Sequence, residues 1–287
     1  MGRWTWLVSA AGAFCLTAGA TGASAESTFA QLKERLIRDG CDTRWIASLY
    51  ADTRCEFLST IAQINMKHVE DTAAYASFLD EKNMIIAREY FEKHRMMIGQ
   101  CGKRTGVPPE IVVAILLIES KCGNDRSKAP VFNVLSTLSV SDHPRHIEAS
   151  YAALKPQYPD LTIGQISRRA QSRSRWAYRE LRTYLNWIRR HPGMDALAAG
   201  GSWAGAMGLP QFMPTAMAAY AADGDADGRI DLDNDTDAVA SICRYLRGNG
   251  WRAELPAAHQ RKIIWRYNQS PLYVETVLRV AEKLGLR

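Results

Sequence analysis

The sequence of 287 residues has almost no pattern typical of β-strands, because apolar and polar residues rarely alternate along it. It also lacks the His and Cys spacing of a zinc site, and no motif that reads nucleic-acid bases is present. These absences argue against a β-rich fold, a zinc enzyme and a nucleic-acid-binding protein. With 47% hydrophobic and 23% charged residues, the composition is ordinary for a globular protein of one large domain or two.

The first 25 residues are typical of a secretory signal. Arg3 precedes an apolar stretch over residues 4–20, and small residues at 23–25 form a cleavage site. The alternative is a retained membrane anchor, although glycines interrupt a rather short apolar run. We therefore expect an exported, periplasmic protein with no stable membrane span after cleavage.

Of the six cysteines, five lie beyond the predicted signal. Export permits disulfides, and an odd count predicts at least one free thiol. Proximity in the sequence favours the pairs Cys41–Cys55 and Cys101–Cys122, with Cys243 free inside a helix. Sequence alone does not determine such pairing, so these pairs are an expectation.

The stretch from Val107 to Gly123 predicts a buried helix that ends in a carboxylate. Two prolines stand where a first helical turn tolerates them, and eight apolar residues follow over 111–118. Glu119 comes next, where desolvation and the negative end of the helix dipole should both raise its pKa. A raised pKa suits a general acid. The alternative is an ordinary Glu at the edge of the core, paired with an arginine.

A second motif, over residues 201–214, mixes small residues with hydrogen-bonding and aromatic ones. The small residues allow a ligand or another backbone to approach closely. Ser202 and Gln211 supply hydrogen bonds, while Trp203 and Phe212 offer flat faces to sugar rings. A tight helix–helix crossing could require the same composition, so the motif alone leaves both readings open.

Residues 118–120, the motif over 201–214 and the pair Tyr267–Asn268 resemble the lytic murein transglycosylases of the B type. The resemblance runs from about residue 85 to the C-terminus. It implies a mainly helical fold related to goose-type lysozyme, a peptidoglycan substrate and Glu119 as the single catalytic acid/base. It also implies further residues that line the cleft or shape the sugar subsites: Ser202, Gln211, Phe212, Met213, Tyr245, Tyr267, Asn268 and Tyr273.

We therefore predict a mainly α protein whose catalytic domain is lysozyme-like, with N-terminal and inserted helical regions. Residues 1–25 are the predicted signal and residues 26–100 an N-terminal helical region. The lysozyme-like domain covers residues 101–287, with a helical subdomain at 141–200. One departure from the family is Cys122, where the resemblance leads us to expect an aromatic ring, and this affects the local subsite shape.

Residues 223–234 match the EF-hand loop, which wraps oxygen ligands around Ca²⁺. Asn stands at the twelfth position instead of the usual bidentate Glu, which should weaken affinity. The alternative is an acidic surface loop without a cation. The resembled family carries a similar loop here, which supports a structural Ca²⁺ site. The ligand positions are Asp223, Asp225, Asp227, Arg229 through its backbone carbonyl, Asp231 and Asn234.

The leading functional hypothesis is an exported lytic transglycosylase acting on peptidoglycan glycan strands. It would cleave the β-1,4 bond between N-acetylmuramic acid and N-acetylglucosamine and leave a 1,6-anhydro-muramoyl end. The proposed cleft segments, 202–214 and 265–273, contain no Asp or Glu, so the second carboxyl of an ordinary glycosidase is missing. A net charge of +6 suits an anionic wall polymer, and equally a merely soluble protein. The alternatives are a hydrolytic muramidase and a calcium-dependent peptidoglycan-binding protein that has lost activity.

Overall fold

A computed structural model describes residues 25–66 and 72–285, so nearly all of the predicted signal lies outside the described residues. The described part is mainly helical, as predicted, with two short strands. Within these ranges no helix is both long and apolar enough to cross a bilayer. The helices are α1 (Ala25–Thr28), α2 (Ala30–Arg38), α3 (Thr43–Ala51), α4 (Ser59–Met66), α5 (Thr72–Ser77), α6 (Glu81–Thr105), α7 (Pro109–Ser120), α8 (Val131–Ser139), α9 (Pro144–Leu154), α10 (Ile163–Arg190), α11 (Pro214–Tyr220), α12 (Asp235–Gly248), α13 (Ala257–Tyr267) and α14 (Pro271–Leu284).

Helix α7 is the centre of the core. It begins at the predicted prolines, and the apolar residues over 111–118 are each 3% exposed or less. Helices α6, α12 and α14 pack against it, which explains why no polar face interrupts the apolar run. The helix ends because Lys121 adopts the left-handed conformation, with φ of 46°. The predicted buried helix is therefore confirmed.

The N-terminal helices pack onto α8 through polar as well as apolar contacts. The hydroxyls of Tyr50 and Ser136 share a buried hydrogen bond of 3.0 Å. The backbone N–H of Leu58 donates to Thr137 Oγ1 at 2.9 Å. One hydrophobic core includes residues from both the N-terminal helices and the later ones. The predicted domain boundaries remain a prediction, but α6 runs without a linker across the one at residue 100.

Helix α10 forms the long wall next to α8. It starts with a capping box in which Thr162 and Gln165 hydrogen-bond each other's backbone N–H. Two short strands, β1 (Ala129–Pro130) and β2 (Gly200–Gly201), pair antiparallel, and β1 contacts α8. This pairing anchors the start of the glycine-rich motif next to the helical core.

The cysteine pairing differs from the predicted one. Cys101 on α6 is bridged to Cys243 on α12, with 6.4 Å between their Cα atoms. Cys41, Cys55 and Cys122 are free, so the predicted pairs and the predicted free Cys243 were wrong. The physical reason is that the end of α6 packs along α12, a contact between segments 142 residues apart. Sequence proximity gave no information about this contact.

Candidate active site

A cleft of about 420 Å³ opens between α7, α10, α11, α12 and the segment that joins α13 to α14. Glu119 contributes to its lining from the end of α7. Seven of the eight other predicted site residues line the same cleft: Ser202, Gln211, Phe212, Met213, Tyr245, Tyr267 and Asn268. The eighth, Tyr273, lies behind the cleft wall and is fully buried.

The carboxyl of Glu119 has a perturbed pKa. Burial among apolar side chains raises this pKa to about 8, from an ordinary value of 4.5. The hydroxyl of Tyr273 donates to Glu119 Oε1 at 2.7 Å and opposes the rise, because it stabilises the charged form. Burial is the larger effect, so the carboxyl holds its proton at neutral pH. This is the protonation state that a general acid requires.

A row of tyrosine rings supports this carboxyl. The ring of Tyr267 stacks on that of Tyr273 with centroids 6.3 Å apart and an interplanar angle of 10°. Tyr245 meets Tyr267 edge to face at 4.8 Å, and Tyr220 meets Tyr245 in the same way. Such edge-to-face and offset contacts are favourable arrangements for aromatic rings. The row therefore makes a rigid, largely apolar wall along the cleft.

Backbone acceptors hold two of these rings in place. The hydroxyl of Tyr245 donates to the carbonyl of Arg266 at 2.7 Å. The hydroxyl of Tyr267 donates to the carbonyl of Pro210 at 2.6 Å. Each hydrogen bond fixes the orientation of its ring. Because the phenol proton is already donated to the backbone, a ligand in the cleft would contact these residues mainly through their rings.

The glycine-rich motif folds into a tight turn around Ser202. The backbone N–H groups of Ala204 and Ala206 donate to Ser202 Oγ at 3.2 and 3.1 Å. With two donors on its oxygen, the hydroxyl keeps its own proton for donation. Gly201 is required here because a Cβ would lie 2.4 Å from the carbonyl oxygen of Ala206. The small residues thus allow two backbone segments to approach closely, which is one of the interpretations that the sequence supported.

The segment after this turn brings three predicted residues to the cleft. Phe212 and Met207 exchange two backbone hydrogen bonds, of 2.9 and 3.0 Å. Gln211 between them has φ of 49°, and its side-chain amide donates to the carbonyl of Gly208 at 2.8 Å. Met213 is the N-cap residue of α11. On the opposite side, Asn268 ends α13 and is 3% exposed.

Glu180 of α10 is a second carboxyl in the cleft lining, and the sequence argument about the cleft segments missed it. Its two oxygens accept hydrogen bonds from Thr215, one from the backbone N–H at 2.9 Å and one from the hydroxyl at 3.0 Å. Burial raises its pKa, and both bonds from Thr215 oppose the rise. The helical spacing of Ala177, Glu180 and Tyr184 was visible in the sequence and places Glu180 on the same helix face as two apolar residues. All three side chains are buried in the structure.

The acidic loop brings three carboxylates together. Ligand oxygens of Asp223, Asp225 and Asp227 lie within 4.8 Å of one another. Three carboxylates this close repel each other without a cation, and their oxygens are the ligands that Ca²⁺ prefers. The backbone carbonyl of Arg229 and the side chain of Asp231 follow in the same loop. The donor set therefore fits a hard cation.

The twelfth loop position differs from the expected ligand arrangement. Asn234 caps α12, with its side-chain oxygen accepting from the backbone N–H of Thr236 at 2.7 Å. Its amide nitrogen donates to Asp225 at 3.0 Å. Asp237, which the sequence pattern did not single out, is 2% exposed and accepts 2.7 Å hydrogen bonds from the backbone N–H groups of Gly224 and Asp231. Asp237 thus closes the loop, a role that the EF-hand pattern did not indicate.

The acidic loop is hydrogen-bonded to the glycine-rich motif. The backbone N–H of Leu209 donates to the carbonyl of Leu232 at 2.9 Å. Gly208 has φ of 67°, and a Cβ there would lie 2.3 Å from Leu232 Cβ. The position of the loop is therefore coupled to the segment that carries Gln211 into the cleft.

The match of a family model defines the class of this protein. The model is that of the Transglycosylase SLT domain, and it matches residues 24–263. The chain belongs to this family, which confirms the resemblance drawn from the sequence motifs.

Individual relatives agree with this class. Membrane-bound lytic murein transglycosylase B of Escherichia coli (strain K12) is 31% identical over 174 residues, which are 61% of this chain and 40% of that relative. The chain thus aligns with less than half of that relative's length.

Among solved structures, the Escherichia coli lytic transglycosylase Slt35 in complex with calcium has a TM-score of 0.70 at 21% identity, covering 90% of this chain and 92% of that one. SltB3 from Pseudomonas aeruginosa in complex with NAG-anhNAM-pentapeptide has a TM-score of 0.71 at 21% identity, covering 92% and 80%. At these identities the likeness establishes the common fold, and it confirms the predicted fold class.

Proposed function

We propose that this protein is a peptidoglycan lytic transglycosylase in which Glu119 is the acid and then the base. The observation that carries the proposal is the protonated carboxyl of Glu119, whose pKa is raised to about 8, in a cleft walled by tyrosine rings. Family membership supports the reaction class. The name of the Escherichia coli relative supports murein as the substrate.

In the first step, Glu119 donates its proton to the glycosidic oxygen that leaves C1 of N-acetylmuramic acid. As the C1–O bond breaks, the oxygen of the sugar's own N-acetyl group attacks C1 and takes the place of an enzyme nucleophile. The substrate must supply the nucleophile because Glu180, the second carboxyl of the cleft, accepts hydrogen bonds from Thr215 on both oxygens. An ordinary retaining or inverting glycosidase needs a second carboxyl that is free to react.

In the second step, the carboxylate of Glu119 takes the proton from the C6 hydroxyl of the same sugar. The C6 oxygen then closes onto C1 and displaces the N-acetyl oxygen, which gives a 1,6-anhydro-muramoyl end. The proton that Glu119 gave in the first step is thereby returned, and no water is consumed. SltB3 forms a complex with NAG-anhNAM-pentapeptide, a ligand that contains an anhydro sugar, and this supports the product class.

The other cleft residues hold the strand, in this proposal. The free hydroxyl proton of Ser202 is available to the N-acetyl group or to Glu119, and Gln211 orients the sugar. The aromatic and amide residues form the walls of the sugar subsites: Phe212, Met213, Tyr245, Tyr267 and Asn268. We also propose that the strand carries peptides, since the SltB3 ligands are disaccharides with a pentapeptide.

The test is digestion of purified sacculi followed by mass spectrometry. The expected products have anhydro ends, and Glu119→Gln should lower cleavage by several orders of magnitude while strand binding survives. Thr215→Val, which removes one hydrogen bond at Glu180, is the matched control and should still give anhydro ends. Reducing ends heavier by a water would establish a hydrolytic muramidase instead. Binding without any cleavage would establish an inactive wall-binding protein.

We propose that the acidic loop binds a structural Ca²⁺. The cluster of Asp223, Asp225 and Asp227 supports this, as does the calcium complex of Slt35. Since Leu232 of the loop is hydrogen-bonded to Leu209, the ion would stabilise the cleft segment. On metal-stripped protein, a hundredfold excess of Ca²⁺ over Kd should add about 2.7 kcal/mol to the free energy of unfolding. A melting curve identical in Ca²⁺ and in chelator would contradict the site.

We propose, finally, that the protein is exported to the periplasm. The signal-like composition of residues 1–25 and the murein substrate of the Escherichia coli relative support this. The N-terminus of the protein isolated from cells should begin near residue 26. Recovery of the intact N-terminus in the membrane fraction would instead indicate a retained anchor.

A further inference from the structure

A second groove, of about 420 Å³, adjoins the catalytic cleft. We call it the Trp265 groove. It lies between the last turns of α13 and the first turn of α14, and Arg266 lines both the groove and the cleft. The cleft and the groove therefore meet at this side chain. Its lining residues are Arg261, Lys262, Trp265, Arg266, Pro271 and Val274.

The Trp265 groove has an excess of positive charge. Arg261 donates to the carboxylate of Glu275 on α14 at 2.7 Å, which neutralises one cation. Arg266 donates one N–H to the carbonyl of Asn249 at 3.2 Å and keeps further donors. Lys262 is exposed. Two net positive charges therefore face a groove whose remaining lining is apolar.

The apolar part of the lining is suited to a chain with aliphatic side chains. Trp265 is half-buried and Val274 is 4% exposed, so both are fixed by the core behind them. Pro271 completes this surface at the start of α14. A neutral sugar would make no use of the two cations, whereas a peptide with carboxylates would use both the charges and the apolar surface.

We infer that the Trp265 groove binds the peptide arm of the peptidoglycan strand, through the carboxylates of that peptide. This inference rests on the proposed function, because it takes the strand in the cleft to carry peptides. A peptide with a free C-terminus bears at least one carboxylate, which Lys262 or Arg266 can pair with. The shared residue Arg266 stands where an arm that leaves a cleft-bound sugar would enter the groove.

The test compares binding of two soluble glycan strands, one with its peptides and one from which an amidase has removed them. Binding is measured by calorimetry in the Glu119→Gln background, so that no strand is cut. The double substitution Arg261→Gln and Lys262→Gln leaves Glu275 to offset Arg266, so the net charge of the groove falls from two to zero. Kd for the peptide-bearing strand should rise about fivefold, as expected for the loss of two exposed positive charges. Kd for the stripped strand should stay unchanged.

The matched control removes the same charge from another face. Lys82→Gln and Lys93→Gln, both exposed on α6, should change neither Kd. Raising the salt concentration should weaken the preference for peptide-bearing strands, because exposed charges are screened.

Three results would overturn the inference: an equal change for both strands, no change for either, or no measurable binding of the peptide-bearing strand. Equal competition by a carboxymethylated dextran would also overturn it, since the groove would then be a general anionic patch. Failure of the proposed function is seen separately, as the absence of anhydro ends when the unsubstituted protein meets stripped strands.

Discussion

In the proposed mechanism, the hydrogen bond from Tyr273 to Glu119 lowers the upper pH limit of activity. Cleavage in the proposed mechanism requires a protonated Glu119, so kcat/KM should fall as pH rises through about 8. The Tyr273 hydroxyl stabilises the ionised carboxylate and holds this pKa below the value that burial alone would give. Tyr273→Phe removes the hydroxyl and leaves the ring in place. The fall in kcat/KM should therefore move to higher pH.

The size of the move follows from the strength of the bond. A hydrogen bond to a charged group contributes about 1.5–3 kcal/mol, and 1.36 kcal/mol corresponds to one pH unit. The bond is short, at 2.7 Å, and its donor is fully buried. We expect the midpoint of the alkaline fall to rise by about one to two pH units.

The assay is the initial rate of anhydro-end formation on soluble strands, at low substrate concentration, between pH 5 and 10. Tyr267→Phe is the matched control, because its hydroxyl donates to the carbonyl of Pro210 and not to Glu119. Its alkaline midpoint should match that of the unsubstituted protein. A midpoint for Tyr273→Phe that stays or moves down would refute the reasoning, and so would an equal move in Tyr267→Phe.

Other predictions concern stability. Folding raises the pKa of Glu119 from 4.5 to about 8, so the stability that this carboxyl contributes is fully present below pH 4.5 and is lost as pH rises towards 8. Glu119→Gln does not titrate, so it should be more stable than the unsubstituted protein by ~3 kcal/mol at pH 7 and equally stable near pH 4. Urea unfolding at both pH values measures this, and no dependence on pH would contradict it. Cys101→Ser opens a bridge over 142 residues and should lower the free energy of unfolding by about 4 kcal/mol, whereas Cys41→Ser should lower it by less than about 1 kcal/mol. Asp237→Asn should lower the free energy of unfolding by about 2 kcal/mol even in chelator, because it weakens two partly buried hydrogen bonds. Asp225→Asn should instead act on the Ca²⁺-dependent part of the melting temperature. Equal melting curves of these two variants in chelator would contradict that distinction.

Local features of the sequence predicted the buried helix that ends in Glu119 and the close approach made by the glycine-rich motif. The apolar run over 111–118 leaves no polar face, so its burial on all sides follows from composition, and Glu119 at its end meets the desolvation that raises its pKa. The motif over 201–214 predicted a close approach, and Gly201 and Gly208 make such approaches. Each of these predictions depends on residues near one another in the chain.

Features that depend on packing between distant segments were not predictable in this way. The partner of Cys101 is set by the contact of α6 with α12, so the nearby Cys122 was the wrong choice. Asp237 lies three residues beyond the EF-hand pattern, and its role depends on the loop folding back onto the start of α12. The register of a long-range contact is fixed by side-chain packing, which a linear pattern does not contain.

Glu119 and Glu180 show why the chemistry of a site also needs the fold. Both are glutamates on helices, both line one cleft, and burial raises the pKa of each. They differ in their donors: Glu119 receives a hydrogen bond on Oε1 from a single hydroxyl, whereas Thr215 supplies a donor to each oxygen of Glu180. A carboxyl whose two oxygens are both engaged holds a helix end, and one with a free oxygen at the cleft can exchange a proton with a substrate. The roles proposed for the two carboxyls therefore rest on their hydrogen-bond partners, which come from different segments of the chain.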